Sequence, residues 1–239
     1  MFDPIRTESG AGEVATKIAP LVLFDLDGTL VDSVGDLTAA LNDVRARFAL
    51  APVACEQVRT AISWGARAIL GQGLPELEEA EREAQRDVFL EHYRERIGEN
   101  DRLFPGIAQV LAAIEAAGSR WGIVTNKRED LARRVVERLD LDARCAILIG
   151  GDTLARCKPD PLPVVTACQR LGVACAQAVF VGDDRRDIEA GRSAGTRTLA
   201  VRWGFHAHAD DPAGWGADAV LDEPIRLLDA GVLSAARIQ

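Results

Sequence analysis

Leu23-Phe24-Asp25-Leu26-Asp27-Gly28-Thr29-Leu30-Val31-Asp32-Ser33 joins an apolar run to two carboxylates and a turn. Leu21 to Phe24 are all apolar, the signature of a short buried strand. Positions i and i+2 of an extended segment point to one side, so Asp25 and Asp27 can face a common site. Gly28 and Thr29 follow as a sharp turn, whose N–H groups are expected to face an anion. Two carboxylates this close repel unless a cation sits between them or one keeps a proton. The arrangement points to a metal-assisted phosphate site.

Three more polar clusters follow, each after an apolar run or before a helix. Trp121-Gly122-Ile123-Val124 ends in Thr125-Asn126-Lys127, a hydroxyl and N–H groups suited to phosphate oxygens. Lys158-Pro159-Asp160-Pro161 opens a helix, and its prolines restrict where Lys158 points. An ammonium fixed in this way can balance phosphoryl charge. Val181-Gly182-Asp183-Asp184-Arg185-Arg186-Asp187 sets a carboxylate cluster at a strand tip, which is costly unless a cation binds. Mg²⁺ favours such sites, taking a few carboxylates plus water and substrate phosphate, and Mn²⁺ fits the same oxygens. Asp184 reads as a helix N-cap.

These strings resemble the four motifs of the haloacid dehalogenase-like (HAD) phosphatases: D-x-D-G-T-[LV], a Thr at the second strand's end, K-P-x-P and G-D-x-x-x-D. The resemblance implies that Asp25 is the nucleophile and Asp27 the general acid/base. It implies that Thr125 and Lys158 hold the phosphoryl group, with Gly28, Thr29 and the Asn126 backbone around it. It gives Mg²⁺ to Asp25, the Asp27 carbonyl and Asp183, with Asp187 as a second acid acting through water or by holding Lys158. Asp184 and Arg186 depart from the residues often found there, Ser and Asn. The chain looks most similar to the phosphoglycolate phosphatase-like branch. Ile62-Ser63-Trp64-Gly65-Ala66-Arg67-Ala68 and the segment around Arg202-Trp203-Gly204 resemble the N-acetylmuramic acid 6-phosphate phosphatases.

The pattern along the chain predicts an α/β fold, a Rossmann-like core with a central parallel sheet and an inserted helical cap. Residues 1–20 are expected to form a flexible tail, residues 21–34 and 101–239 the core, and residues 35–100 the cap. Within the cap, Leu37, Leu41, Val44 and Phe48 recur at helical spacing, and one long helix is expected from about Pro75 to Ile97. Substrate choice is expected there, with Trp64 and Arg67 as candidates, since an Arg can grip a carboxylate bidentately. Arg202 to Phe205 form a second candidate wall. His206 and His208 are read as solvated, and His92 as structural.

The 239 residues are 48% hydrophobic, enough for one large core plus a small module. A net charge of −9 argues against nucleic-acid or membrane-surface partners and leaves a small-molecule phosphate ester as the expected one. The five cysteines show no C-x-x-C pair, and are read as buried thiols of a reducing cytoplasm. Two other classes share these residues: a phosphomutase of the same fold, and a non-catalytic phosphate-binding protein.

Overall fold

The computed structural model describes residues 18–207 and 209–235. Residues 1–17 of the expected tail (1–20) and His208 lie outside the described residues. The last part of that tail is not loose, since Ala19 is buried and donates its N–H to the Leu233 carbonyl at 2.8 Å. The main sheet has six parallel strands in the order β5-β4-β1-β6-β7-β8. These are β1 (Leu21–Phe24), β4 (Arg120–Val124), β5 (Leu148–Ile149), β6 (Ala178–Gly182), β7 (Arg197–Val201) and β8 (Ala219–Leu221). β2 (Val31–Asp32) and β3 (Arg102–Leu103) pair antiparallel where the chain leaves and re-enters this layer.

β1 lies between β4 and β6, and its four residues are fully buried. Val22 and Phe24 pack into one hydrophobic cluster, Leu21 and Leu23 into another on the opposite face. This two-residue alternation with both faces apolar requires cover on both sides, as in other parallel sheets. The cover comes from α6 (Ile107–Ala116), α7 (Glu129–Arg138), α8 (Leu162–Arg170) and α9 (Arg185–Ala194). Gly195, at φ 85°, ends α9 in the left-handed conformation that favours glycine.

Between β2 and β3 the chain is helical: α1 (Val34–Ala46), α2 (Cys55–Val58), a 3-10 segment Arg59–Trp64, α3 (Ala66–Gly73), α4 (Glu79–Ala84) and α5 (Arg86–Arg96). The long helix expected from about Pro75 is two, broken at Gln85, and residues 75–78 precede it as turn. α4 buries no residue, so its charged sequence has no apolar stripe to continue into α5. Leu37, Leu41 and Val44 are buried as their spacing predicts, whereas Phe48 lies beyond the end of α1 and is exposed. The cysteines also depart from expectation: all five are free, but only Cys168 is buried and Cys157 is exposed.

Asp36 of α1 accepts backbone N–H bonds from Gly98, Asn100 and Asp101, tying the start of the helical block to its end. Among the described residues, no helix is long and apolar enough to cross a membrane.

Candidate active site

Asp25, Thr125 and Asp183 each follow directly on one of the three neighbouring strands β1, β4 and β6. The chain runs from β1 towards β5 on one side and towards β8 on the other. Such a switch point leaves a crevice at the carboxyl ends of the strands, where α/β sheets bind ligands.

Lys158 enters from the loop before α8 and is 3% exposed. Its Nζ lies 2.9 Å from Asp25 Oδ1 and 2.6 Å from Asp187 Oδ1. Burial alone would lower the ammonium, but Asp187 and Asp25 outweigh it and hold it above its ordinary range. The Asn126 side chain clasps the Lys158 backbone at both ends. Its Oδ1 accepts the Lys158 N–H at 3.0 Å, and its Nδ2 donates to the Lys158 carbonyl at 2.9 Å. Asn126, expected to act through its backbone, thus aims the lysine with its side chain.

Asp183 is buried, with Thr29 Oγ1 donating to Oδ1 at 2.8 Å and the Phe205 N–H to Oδ2 at 2.9 Å. Burial, and then the charge of Asp25, push its carboxyl up to about 7. Glycine is required around it. A Cβ on Gly28, which sits at φ +85°, would fall 2.1 Å from Asp183 Oδ2, and one on Gly204 would fall 2.2 Å from Asp183 Cβ. Oxygens of Asp25, Asp183 and Asp187 lie within 4.8 Å of one another. This hard, crowded and buried oxygen set fits a divalent cation, which would offset the burial and the Asp25 charge that raise Asp183.

Gly28 and Thr29 require a correction. Their N–H groups do not face outward: Gly28 donates to the Val31 carbonyl at 2.9 Å and Thr29 to the Leu26 carbonyl at 3.4 Å. The turn closes on itself. These two residues shape and hold Asp183, and neither lines the cavity above the site.

That cavity, of about 390 Å³, extends from Asp25, Thr125 and Lys158 to the inner sides of α3 and α5. Trp64 lines it and is 65% exposed, with the Arg186 guanidinium 4.4 Å from its ring centre. Arg67 lines it too, but both its Nε and its Nη2 donate to Glu83 at 2.9 Å. Arg202 to Phe205 do not line it. Phe205 is buried under the site, and the Trp203 indole donates to the Thr29 carbonyl at 3.0 Å. Asp184 caps α9 as its sequence predicts, accepting the Arg186 N–H at 2.8 Å. His92 lies 3.9 Å from Asp43, away from the cavity.

Sequence reasoning missed Lys127 and Tyr93. Lys127 Nζ donates to both Asp27 oxygens, at 3.0 and 2.9 Å, and to the Tyr93 hydroxyl at 2.7 Å. The position of Lys127, at the tip of β4 beside Thr125, was a usable signal. Tyr93 read only as an apolar inner position of its helix.

A family profile described as haloacid dehalogenase-like hydrolase matches residues 22–201. The chain belongs to this family. It is 46% identical over 206 residues to a phosphoglycolate phosphatase of Xanthomonas campestris pv. campestris, spanning 86% of this chain and 93% of that one. It is 44% identical over 209 residues to an N-acetylmuramic acid 6-phosphate phosphatase of Pseudomonas aeruginosa, spanning 87% and 92%. Among solved structures, a predicted phosphoglycolate phosphatase from Haemophilus somnus 129PT superposes with a TM-score of 0.78 at 29% identity, over 88% and 96% of the two chains. This HAD chain therefore shares its fold with solved relatives.

Proposed function

We propose that this phosphoric monoester hydrolase acts on a small carboxylated or sugar phosphate through a phospho-enzyme on Asp25. The observation that carries the reading is Lys158, buried between Asp25 and Asp187 beside the Asp183 carboxylate. Two relatives at 44–46% identity, named as a phosphoglycolate phosphatase and an N-acetylmuramic acid 6-phosphate phosphatase, support the substrate class.

In this reading an Asp25 oxygen attacks phosphorus, and the ester P–O bond breaks on the opposite side. Asp27, ion-paired with Lys127 in the free enzyme, carries a proton once the ester is bound and gives it to the leaving oxygen. It then takes one from the water that attacks phosphorus and frees Asp25 and inorganic phosphate. Thr125 and Lys158 surround the equatorial oxygens, where charge is spread in the transition state. Asp25 and Asp183, with the Asp27 carbonyl, would hold a divalent cation, and the hardness of the oxygen set favours Mg²⁺. When bound, it supplies charge neutralisation for nucleophile and phosphoryl group. Asp187 keeps Lys158 in place. Residues 35–100 act as a cap whose inner face selects the substrate.

The test is phosphate release by purified protein from 4-nitrophenyl phosphate, 2-phosphoglycolate and N-acetylmuramic acid 6-phosphate, with and without Mg²⁺. Turnover that requires the metal and is led by a carboxylated ester supports the reading. Metal-independent turnover, or none, contradicts it.

A further inference from the structure

Six cationic side chains line the cavity: Arg67, Arg86, Lys127, Arg128, Lys158 and Arg186. Five already have a carboxylate within salt-bridge distance: Glu83 for Arg67, Asp27 for Lys127, Asp130 for Arg128, Asp25 and Asp187 for Lys158, and Asp184 for Arg186. Arg86 is the exception. Among the described residues its side chain makes no hydrogen bond or close ion pair, and its charge is felt only at longer range, where it helps to hold the Glu83 carboxyl low. An unpaired guanidinium in a substrate cavity retains all its donors for an incoming carboxylate.

The placement of Arg86 also sets a length. Arg86, Phe89, Leu90 and Tyr93 of α5 all line the cavity, at the i, i+3, i+4, i+7 spacing of one helical face. Tyr93 is held at the catalytic end, its hydroxyl on Lys127 and Lys127 on Asp27. Seven residues of α-helix put Arg86 about 10 Å further along the axis. Between the two ends the wall is apolar, with Phe89 and Leu90 on α5 and Ile62 and Ile69 facing the same space.

We propose that Arg86 binds the substrate's carboxylate, and that the α5 face from Tyr93 to Arg86 selects phosphate esters whose carboxylate is held a sugar's length from the phosphate, with apolar substituents between. This deepens the phosphatase reading and rests on it. In 2-phosphoglycolate the carboxylate carbon is only three bonds from phosphorus, too close to reach the far end of the face. In N-acetylmuramic acid 6-phosphate the lactyl carboxylate, on O3, is separated from the phosphate by C3, C4, C5 and C6 of the sugar, with acetyl and lactyl methyl groups for the apolar wall. Arg67 has spent the corresponding donors on Glu83.

The test compares kcat/KM for N-acetylmuramic acid 6-phosphate and for N-acetylglucosamine 6-phosphate, which lacks the lactyl group, in wild type, Arg86→Ala, Arg86→Lys and Arg67→Ala. The wild type is expected to prefer the carboxylated ester, and to hydrolyse 2-phosphoglycolate more slowly than it. Arg86→Ala should cut the carboxylated-to-lactyl-free ratio by roughly 10–100-fold, the worth of a charge-assisted bidentate pair. Arg86→Lys should restore part of the ratio, because it keeps the charge but not the fork. A ratio preserved in Arg86→Ala overturns the proposal, as does one that collapses only in Arg67→Ala. Faster turnover of 2-phosphoglycolate by the wild type also overturns it. Turnover of 4-nitrophenyl phosphate separates the two readings. If it is hydrolysed while the sugar esters are not distinguished, only the Arg86 assignment fails. If no ester is hydrolysed with metal present, the phosphatase reading fails as well.

Discussion

The Lys127 ammonium holds both carboxylate oxygens of Asp27, at 3.0 and 2.9 Å. The two side chains are 8% and 15% exposed, so water screens the pair weakly. Lys127 also sits 4.5 Å from the centre of the Tyr93 ring. A residue of the β4 tip thus links the proposed general acid to a helix of the proposed cap.

Removing one side of this pair leaves a buried charge without its partner. Lys127→Met is expected to lose roughly 3 kcal/mol of stability in metal-free urea unfolding, the lower end for breaking a buried pair. Adding Asp27→Asn should recover part of that loss. Strict additivity of the two substitutions would show that the pair is not coupled.

Asn126 makes no ion pair, yet its amide fixes both the N–H and the carbonyl of Lys158. Asn126→Ala should lower kcat by about 10–100-fold with a smaller change in KM, since a misaimed ammonium costs transition-state charge stabilisation most. An unaltered kcat in a folded variant would remove the side chain from the account.

Gly28 is required by both conformation and space. A Cβ there meets Asp183 Oδ2 at 2.1 Å, and φ +85° adds about 1–2 kcal/mol of backbone strain for an L-residue. Gly28→Ala is expected to weaken Mg²⁺ binding at least about tenfold by calorimetry, because the ligand itself must move. Wild-type affinity in that variant would take Asp183 out of the cation site.

Much of the site was legible because each motif pairs a chemical residue type with a strand end, and strand ends follow from short apolar runs such as Leu21–Phe24 and Ala178–Val181. The N-cap role of Asp184 was legible for the same reason, being local. What was not legible depended on distant partners. Glu83 determines what Arg67 can do, yet the two stand on different helices. The N–H groups of Gly28 and Thr29 were misread because a turn's hydrogen bonds depend on how tightly it closes. The long helix expected from about Pro75 failed because a run of charged residues carries helix propensity but no buried face to hold one continuous axis.

Asp101 gives a pH dependence with a definite sign. Burial raises its carboxyl to about 8, with Lys127 opposing and Asp36 adding to the shift. In the unfolded chain the group ionises near its ordinary 3.8, so between these values the native state binds more protons than the unfolded one. Its contribution is therefore fully present below the unfolded value and is lost as pH rises through the native one. Asp183 and Asp187 are also raised, so the wild type alone does not isolate it. Stability lost between about pH 5 and about pH 8 should be smaller in Asp101→Asn than in wild type, measured by urea unfolding at each pH. Parallel curves would contradict the assignment.

The central claim is that phosphoryl transfer passes through Asp25. The most direct measurement is kcat/KM for 4-nitrophenyl phosphate with saturating Mg²⁺ in Asp25→Asn, with folding checked by its unfolding midpoint. A folded variant that has lost at least about 10⁴-fold, the scale for removing a nucleophile, is the predicted result. Phosphate release within tenfold of wild type would contradict it and assign attack to another group.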